Sequence, residues 1–301
     1  MNHKINLTPY ILLLLGGILI SSCITTKKSD PVEELRKSIS DLNPRLMLSS
    51  DAARLIEESE ADYLPEITLS TSIIEKYMAG DTLLFLSNEL QAAALMGIYS
   101  ADVVYHLAFL NRDQAFESYT AAQLIANELG FGDIYVTNLL SRHESEDFSI
   151  DSMIYEVDQA LIKVDKSYSA TDRARILLVF LAANYIEKQY YIHATVQAYK
   201  NKNAEPDKKI RLAKEFVLMT LSQEKAINTL IDLIEKNKYA EDSGYLLGEL
   251  KVLRDNFARI APLKERIDDL SPADIFENPD FDAMFAQLQL IRNYFTTNME
   301  K

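Results

Sequence analysis

Residues 83–110 read LLFLSNELQAAALMGIYSADVVYHLAFL. The run is too long for a strand, holds one glycine and no proline, and is filled with Ala, Leu and Met, which are strong helix formers. Its apolar side chains surround the axis instead of gathering on one face. A helix that is apolar almost all round belongs in the middle of a fold, packed on every side. The rest of the chain agrees. Gly and Pro number only eight each in 301 residues. An all-β chain needs turn residues every 8–12 positions, which this one cannot supply. The composition predicts an all-α domain, an irregular multi-helix bundle of about ten helices.

Working outward, the stop and start signals divide the chain. Pro31 opens a helix that ends near Pro44, and Ser49–Asp51 opens one that runs to Asp62. Ser70 and Thr71 cap a short helix closed by Gly80. Asp81–Leu110 is the central helix, Arg112 and Asp113 make a turn, and Gln114–Leu129 follows with Gly130 as its C-cap. Further helices are expected at 133–143, 149–166, 172–200, 208–236 and 241–268, with a short one from Ser271-Pro272 and a last at 282–300. Residues 201–207, NKNAEPD, form the most loop-like stretch, but apolar helices flank it and no long linker appears, so 31–301 reads as one domain.

Ala115-x-x-x-Tyr119-x-x-Ala122 resembles the second helix of a tetratricopeptide repeat, which makes a helical-hairpin array the alternative architecture. No second copy follows at a 34-residue interval, and a solenoid needs several. The stretch from Gly97–Asp102 through Glu128–Gly130 also looks like uncharacterised all-helical lipoproteins of diderm bacteria, a resemblance that brings no activity with it.

The N-terminus gives an address. Lys4 precedes an apolar run, ILLLLGGILI at 11–20, and the chain's single cysteine follows in Ile20-Ser21-Ser22-Cys23. A positive start, a short apolar run and small residues describe a secretory leader, too short to span about 30 Å of hydrocarbon. The last four residues resemble the lipobox of bacterial lipoproteins. The resemblance implies cleavage after residue 22, a diacylglyceryl thioether on Cys23, and palmitate-like acyl chains that anchor the protein on a membrane surface. The alternative is an ordinary leader with an incidental cysteine. Residues 23–30 then form a tether. Ile24, in place of Asp, implies the outer membrane, and the absence of an acidic run after Cys23 favours its periplasmic face. The mature body contains no cysteine, so disulfides and thiolate metal sites are excluded.

Removing residues 1–22 takes away Lys4 alone, leaving 30 basic against 45 acidic residues, a net charge of −15. That balance disfavours nucleic acid, which needs clustered Lys and Arg. No Gly-x-Ser-x-Gly, His-Glu-x-x-His or phosphate-binding glycine loop occurs. No Glu-x-x-His occurs either, which argues against a ferritin-like metal pair, so no metal or cofactor is expected.

The candidate site comes from helical geometry. At 100° per residue, Asn88, Gln91, Tyr99, Asp102 and His106 share one sector of the 83–110 helix. Arg173, Asn184, Glu187, Lys188, Tyr191 and Thr195 share one on the 172–199 helix. If the sectors face each other, Tyr99, Asp102, His106, Glu187 and Tyr191 form a polar cluster that could bind a ligand. The competing reading makes each sector a solvated edge. His193, flanked by Gln189 and Gln197, reads as exposed. Tyr185, Tyr190 and Tyr191 mark either core packing or a partner surface. Two functions follow: a membrane-anchored, non-catalytic envelope lipoprotein that binds or scaffolds a protein partner, or a periplasmic small-molecule-binding protein with a pocket between the two polar sectors.

Overall fold

The structure, a computed structural model, describes residues 49–59, 62–79, 88–133, 155, 159, 160, 163, 174–200, 205–236 and 240–296. The leader at 1–22, Cys23, the tether to residue 30 and the helix expected after it lie outside these residues. So do most of the helices expected at 133–143 and 149–166. Among the described residues every regular element is helical. In chain order these are α1 (Ser49–Ser59), a 3₁₀ turn (Pro65–Ile67), α2 (Ser72–Met78), α3 (Glu89–Ala108), α4 (Arg112–Glu128) and α5 (Ala174–Lys200). There follow α6 (Pro206–Ser222), α7 (Glu224–Lys236), α8 (Ala240–Ile260), a 3₁₀ segment (Ala261–Asp269), α9 (Pro272–Phe276) and α10 (Pro279–Thr296).

The central helix is α3, and every residue from Ala92 to Leu107 is buried. Its main neighbour is α5, with α4 folded back against its other side. Asp102 meets Glu187 and the ring of Tyr105 lies 5.3 Å from that of Tyr191, so α3 and α5 run parallel. Close approach is set at Gly97. A Cβ there would lie 2.4 Å from the Phe180 carbonyl oxygen and 2.9 Å from the Asn184 amide nitrogen. The Asn184 side-chain amide donates to the Gly97 carbonyl at 3.0 Å, tying the two backbones together at that contact. Around this pair, α1 packs on α3, α5 and α6, α10 lies between α5 and α8, and α7 pairs with α8. One hydrophobic core runs through these elements.

Several boundaries differ from the sequence expectations. Helix α3 begins at Glu89 because Asn88 caps it, its Oδ1 accepting from the Leu90 and Gln91 amides. Arg112 and Asp113 belong to the first turn of α4, and the reversal is made by Leu110 at φ 61°. The single helix expected at 208–236 is two: α6 stops at Gln223, whose N–H bonds back to Thr220 and Leu221, and α7 starts at Glu224. The helix expected at 241–268 leaves α geometry after Ile260, because Pro262 has no N–H to continue it. The last helix starts at Pro279, three residues before the expected position. Gly130, at φ 74°, closes α4 as expected.

Gly244 and Gly248 stand one turn apart on exposed α8, where a Cβ would meet nothing within 4 Å. Glycine inside a helix costs about 1 kcal/mol relative to alanine. The double variant Gly244→Ala/Gly248→Ala therefore raises stability by about 1–2 kcal/mol, readable as a higher urea midpoint with an unchanged slope.

Candidate functional site

The polar sector of α3 faces a strap, residues 62–71, built around the Pro65–Ile67 3₁₀ turn, and bonds its backbone. Tyr99 donates its hydroxyl to the Ser70 carbonyl at 2.7 Å. Asp102 Oδ2 accepts from the Leu69 amide at 3.0 Å. The Tyr105 hydroxyl accepts from the Leu64 amide at 3.1 Å and donates to the Leu64 carbonyl. His106 Nδ1 shares a 3.0 Å hydrogen bond with the Tyr63 hydroxyl. A segment without a regular ladder must find partners for its buried N–H and C=O groups, and these side chains supply them. Burial pushes the Tyr99 and Tyr105 phenols above their ordinary range and the His106 imidazole down to about 4, so the phenols stay protonated and the ring stays neutral.

Glu187 of α5 meets this sector from behind. It is fully buried and forms an ion pair with Arg292 of α10, whose Nε donates to Oε1 and Oε2 at 2.9 and 2.7 Å. Arg292 Nη2 donates to the Ile67 carbonyl at 2.8 Å, tying the strap to α10. The guanidinium also stacks over the Tyr190 ring, 4.7 Å from its centroid. Asp102 and Glu187 hydrogen-bond each other. Two acceptors can do so only if one carries a proton, and Asp102 Oδ1 meets no donor. Burial, then the charge of Glu187, raises Asp102 well above the carboxylate range. Burial also raises Glu187, but Arg292 opposes it. The assignment is a neutral Asp102 donating to an ionised Glu187.

This assignment has a pH signature. Folding takes up a proton that the unfolded chain releases near pH 4, so the pair's contribution is complete below about pH 4 and declines as pH rises. Asp102→Asn keeps both bonds, with the amide donating to Glu187 and its oxygen accepting from Leu69. Urea unfolding is expected to place Asp102→Asn within about 1 kcal/mol of the wild type at pH 5 and above it at pH 8. Asp102→Ala loses stability at both. If Asp102→Asn behaves like Asp102→Ala at both, Asp102 is ionised and the assignment is wrong.

All five candidate ligand residues, Tyr99, Asp102, His106, Glu187 and Tyr191, are therefore brought together as one polar and aromatic cluster, and the polar groups of Tyr99, Asp102, His106 and Glu187 bond the strap, each other or Arg292. Tyr191 joins through its ring against Tyr105. Neither sector is a solvated edge: Glu187 and Lys188 are buried. Asn88 caps its helix, and Asn184 bonds Gly97. His193 is buried, contrary to the exposed position expected, because Phe216, Phe281 and Phe285 surround its ring. The residues that sequence reasoning missed are Arg292 and the strap. The only sequence cue for Arg292 was indirect: it is the lone base between Gln287 and Phe295, a stretch buried at Leu288 and Ile291.

A second feature lies outside the cluster. Tyr245 of α8 and Tyr294 of α10 stand 46% and 45% exposed with ring centroids 4.5 Å apart. Beside them a groove of about 480 Å³ is lined by Tyr245, Ala286, Gln289, Leu290, Asn293 and Tyr294. Leu290 and Val252 extend the exposed apolar surface. The groove continues into a hollow of about 190 Å³ that reaches Arg292.

No family model matches the chain, and neither the curated proteins nor the solved structures yield a significant match. The site is therefore read from its own chemistry. Among the described residues no group of His, Cys, Asp or Glu is placed to hold a metal ion, and no helix is long and apolar enough to cross a membrane.

Proposed function

We propose that this chain is an envelope lipoprotein, anchored through Cys23 on the periplasmic face of an outer membrane. Its helical body is non-catalytic and docks an α-helix of a net-basic protein partner in the α8–α10 groove. The observation that carries the reading is the tilted, half-exposed Tyr245–Tyr294 ring pair beside Leu290, since exposed aromatic clusters of this kind anchor protein interfaces. Charge names the partner's sign: a body of net −15 attracts a basic surface and repels a second copy of itself. Shape names its form. Two packed helices present a channel lined in part by Ala286, and Gly244 and Gly248, next to and one turn from Tyr245 on α8, leave open space for a third helix to approach. The buried cluster of Asp102, Glu187 and Arg292 serves this reading by fixing α10 and the strap.

The test places a photo-reactive amino acid at Leu290, and separately at exposed Leu218 of α6, in cells that produce the full chain. Position 290 is expected to crosslink one discrete protein through a Lys- or Arg-bearing amphipathic segment, and position 218 is not. Equal products at both positions, or none at 290, overturn the docking reading. Mass spectrometry of the membrane-extracted protein tests the anchor, with acylated Cys23 expected at the N-terminus. An intact leader or a free thiol there contradicts it.

A further inference from the structure

The Tyr245–Tyr294 pair has a carboxylate beside it. Tyr245 and Glu249 are four residues apart on α8, so their side chains share one face of that helix. Gly248, on the same face, adds no bulk there. The Glu249 side chain is fixed from α10, because Gln287 Nε2 donates to its Oε2 at 2.6 Å and to the Glu249 carbonyl at 3.1 Å. These bonds and the 4.5 Å ring contact both join α8 to α10, which pack against each other. The tyrosine pair and the carboxylate therefore stand along one helix–helix edge. Burial first, then the charge of Glu249, raises the Tyr245 phenol, so that charge lies within electrostatic reach of the ring.

The remaining oxygen of Glu249, Oε1, is neither bonded nor buried. Among the described residues no base pairs with it: Lys251 and Arg254 of α8 are matched to Glu235 and Asp255. The rings add a second attraction of the same sign. A flat guest between two rings needs about 7 Å, twice the ordinary contact distance, so the 4.5 Å pair admits nothing between its members. Both tyrosines are half-exposed, which leaves an outer ring face open, and that face is the negative part of the ring's charge distribution.

We infer that Tyr245, Tyr294 and Glu249 form a seat for one cationic side chain, an arginine guanidinium that stacks on a tyrosine face and turns its N–H edge to Glu249. The arginine's owner rests on the docking reading, being the basic helix in the groove, whereas the seat is a property of this chain alone. The interior already uses the same combination: Arg292 lies 4.7 Å over the Tyr190 ring while its Nε donates to Glu187. A flat guanidinium does both at once, which the compact ammonium of lysine does not. The body's negative charge draws such a group in.

The test needs no partner. Tyrosine ring signals of the detergent-solubilised full chain are followed by NMR as N-acetyl-arginine amide is added, and in parallel its uncharged analogue, N-acetyl-citrulline amide. The arginine amide is expected to shift the Tyr245 and Tyr294 signals saturably, with half-saturation on the order of tens of millimolar, and the citrulline amide to bind about fivefold more weakly. Glu249→Gln keeps an oxygen for Gln287 and removes only the charge, and is expected to weaken arginine binding about threefold. Equal binding of the two amides, or a Glu249→Gln protein that binds the arginine amide as tightly as the wild type, overturns the seat. Crosslinking from position 290 is independent of both amides, so failure of the seat and failure of the docking reading are told apart.

Discussion

Glu187→Gln destabilises the protein by about 3–5 kcal/mol at pH 7, the cost of leaving one member of a buried ion pair without its counter-charge. The magnitude follows from what surrounds Arg292, whose side chain is 12% exposed while Glu187 is fully hidden. The guanidinium keeps its bond to the Ile67 carbonyl but loses the carboxylate that neutralises it. Asp102 loses the charged acceptor for its proton at the same time. Burial alone holds the Arg292 proton less tightly, and it is Glu187, through its charge and its hydrogen bonds, that keeps its affinity above the ordinary value. Replacing both partners, as Glu187→Met with Arg292→Met, is expected to recover most of the loss, because an apolar pair leaves no charge stranded. Urea titration of the wild type, Glu187→Met, Arg292→Met and the double variant closes the cycle. Equal cost in the single and double variants would mean that packing, not charge pairing, sets the penalty.

The second large effect is expected at Gly97. Gly97→Ala places a methyl group against the Phe180 carbonyl oxygen and the Asn184 amide nitrogen, both backbone atoms of α5. Neither can rotate aside as a side-chain tip can. The helices must separate along their whole contact, and the bond from Asn184 to the Gly97 carbonyl lengthens. Overpacking of a dense core costs about 1–3 kcal/mol, and this position belongs at the upper end. Thermal unfolding should show the loss without a change in helix content below the transition. A variant as stable as the wild type would show that α3 and α5 do not pack backbone to backbone.

The all-α fold was legible because its evidence is statistical and spread along the chain: scarce Gly and Pro, and one segment, 83–110, apolar all round. The pairing of polar sectors was legible as a conditional, since 100° spacing placed Asp102 with His106 and Glu187 with Tyr191 but could not say that the two sectors meet. What they meet was not legible. Tyr99, Asp102 and Tyr105 bond main-chain atoms of residues 64–70, and a backbone acceptor leaves no mark in the sequence of the segment that carries it. Arg292 was hidden for a related reason, because its partner lies 105 positions away on another helix. His193 misled because glutamines flank it one helical turn to either side while its neighbours in space are phenylalanines. The break at Gln223 was invisible because helix propensity there is good on both sides.

These features separate two parts of the molecule. The buried cluster uses its charges to hold the strap and α10 in place. The exposed groove on α8 and α10 keeps its apolar surface unspent, and α8 carries two glycines where alanine fits better.

The most direct test uses those glycines. Gly244→Ala/Gly248→Ala is measured for stability and for crosslinking from position 290 in the same preparation. The docking account predicts a higher urea midpoint together with a roughly tenfold lower crosslink yield, since added methyl groups hold a partner helix away from a better-folded surface. A more stable variant that crosslinks as well as the parent would contradict it.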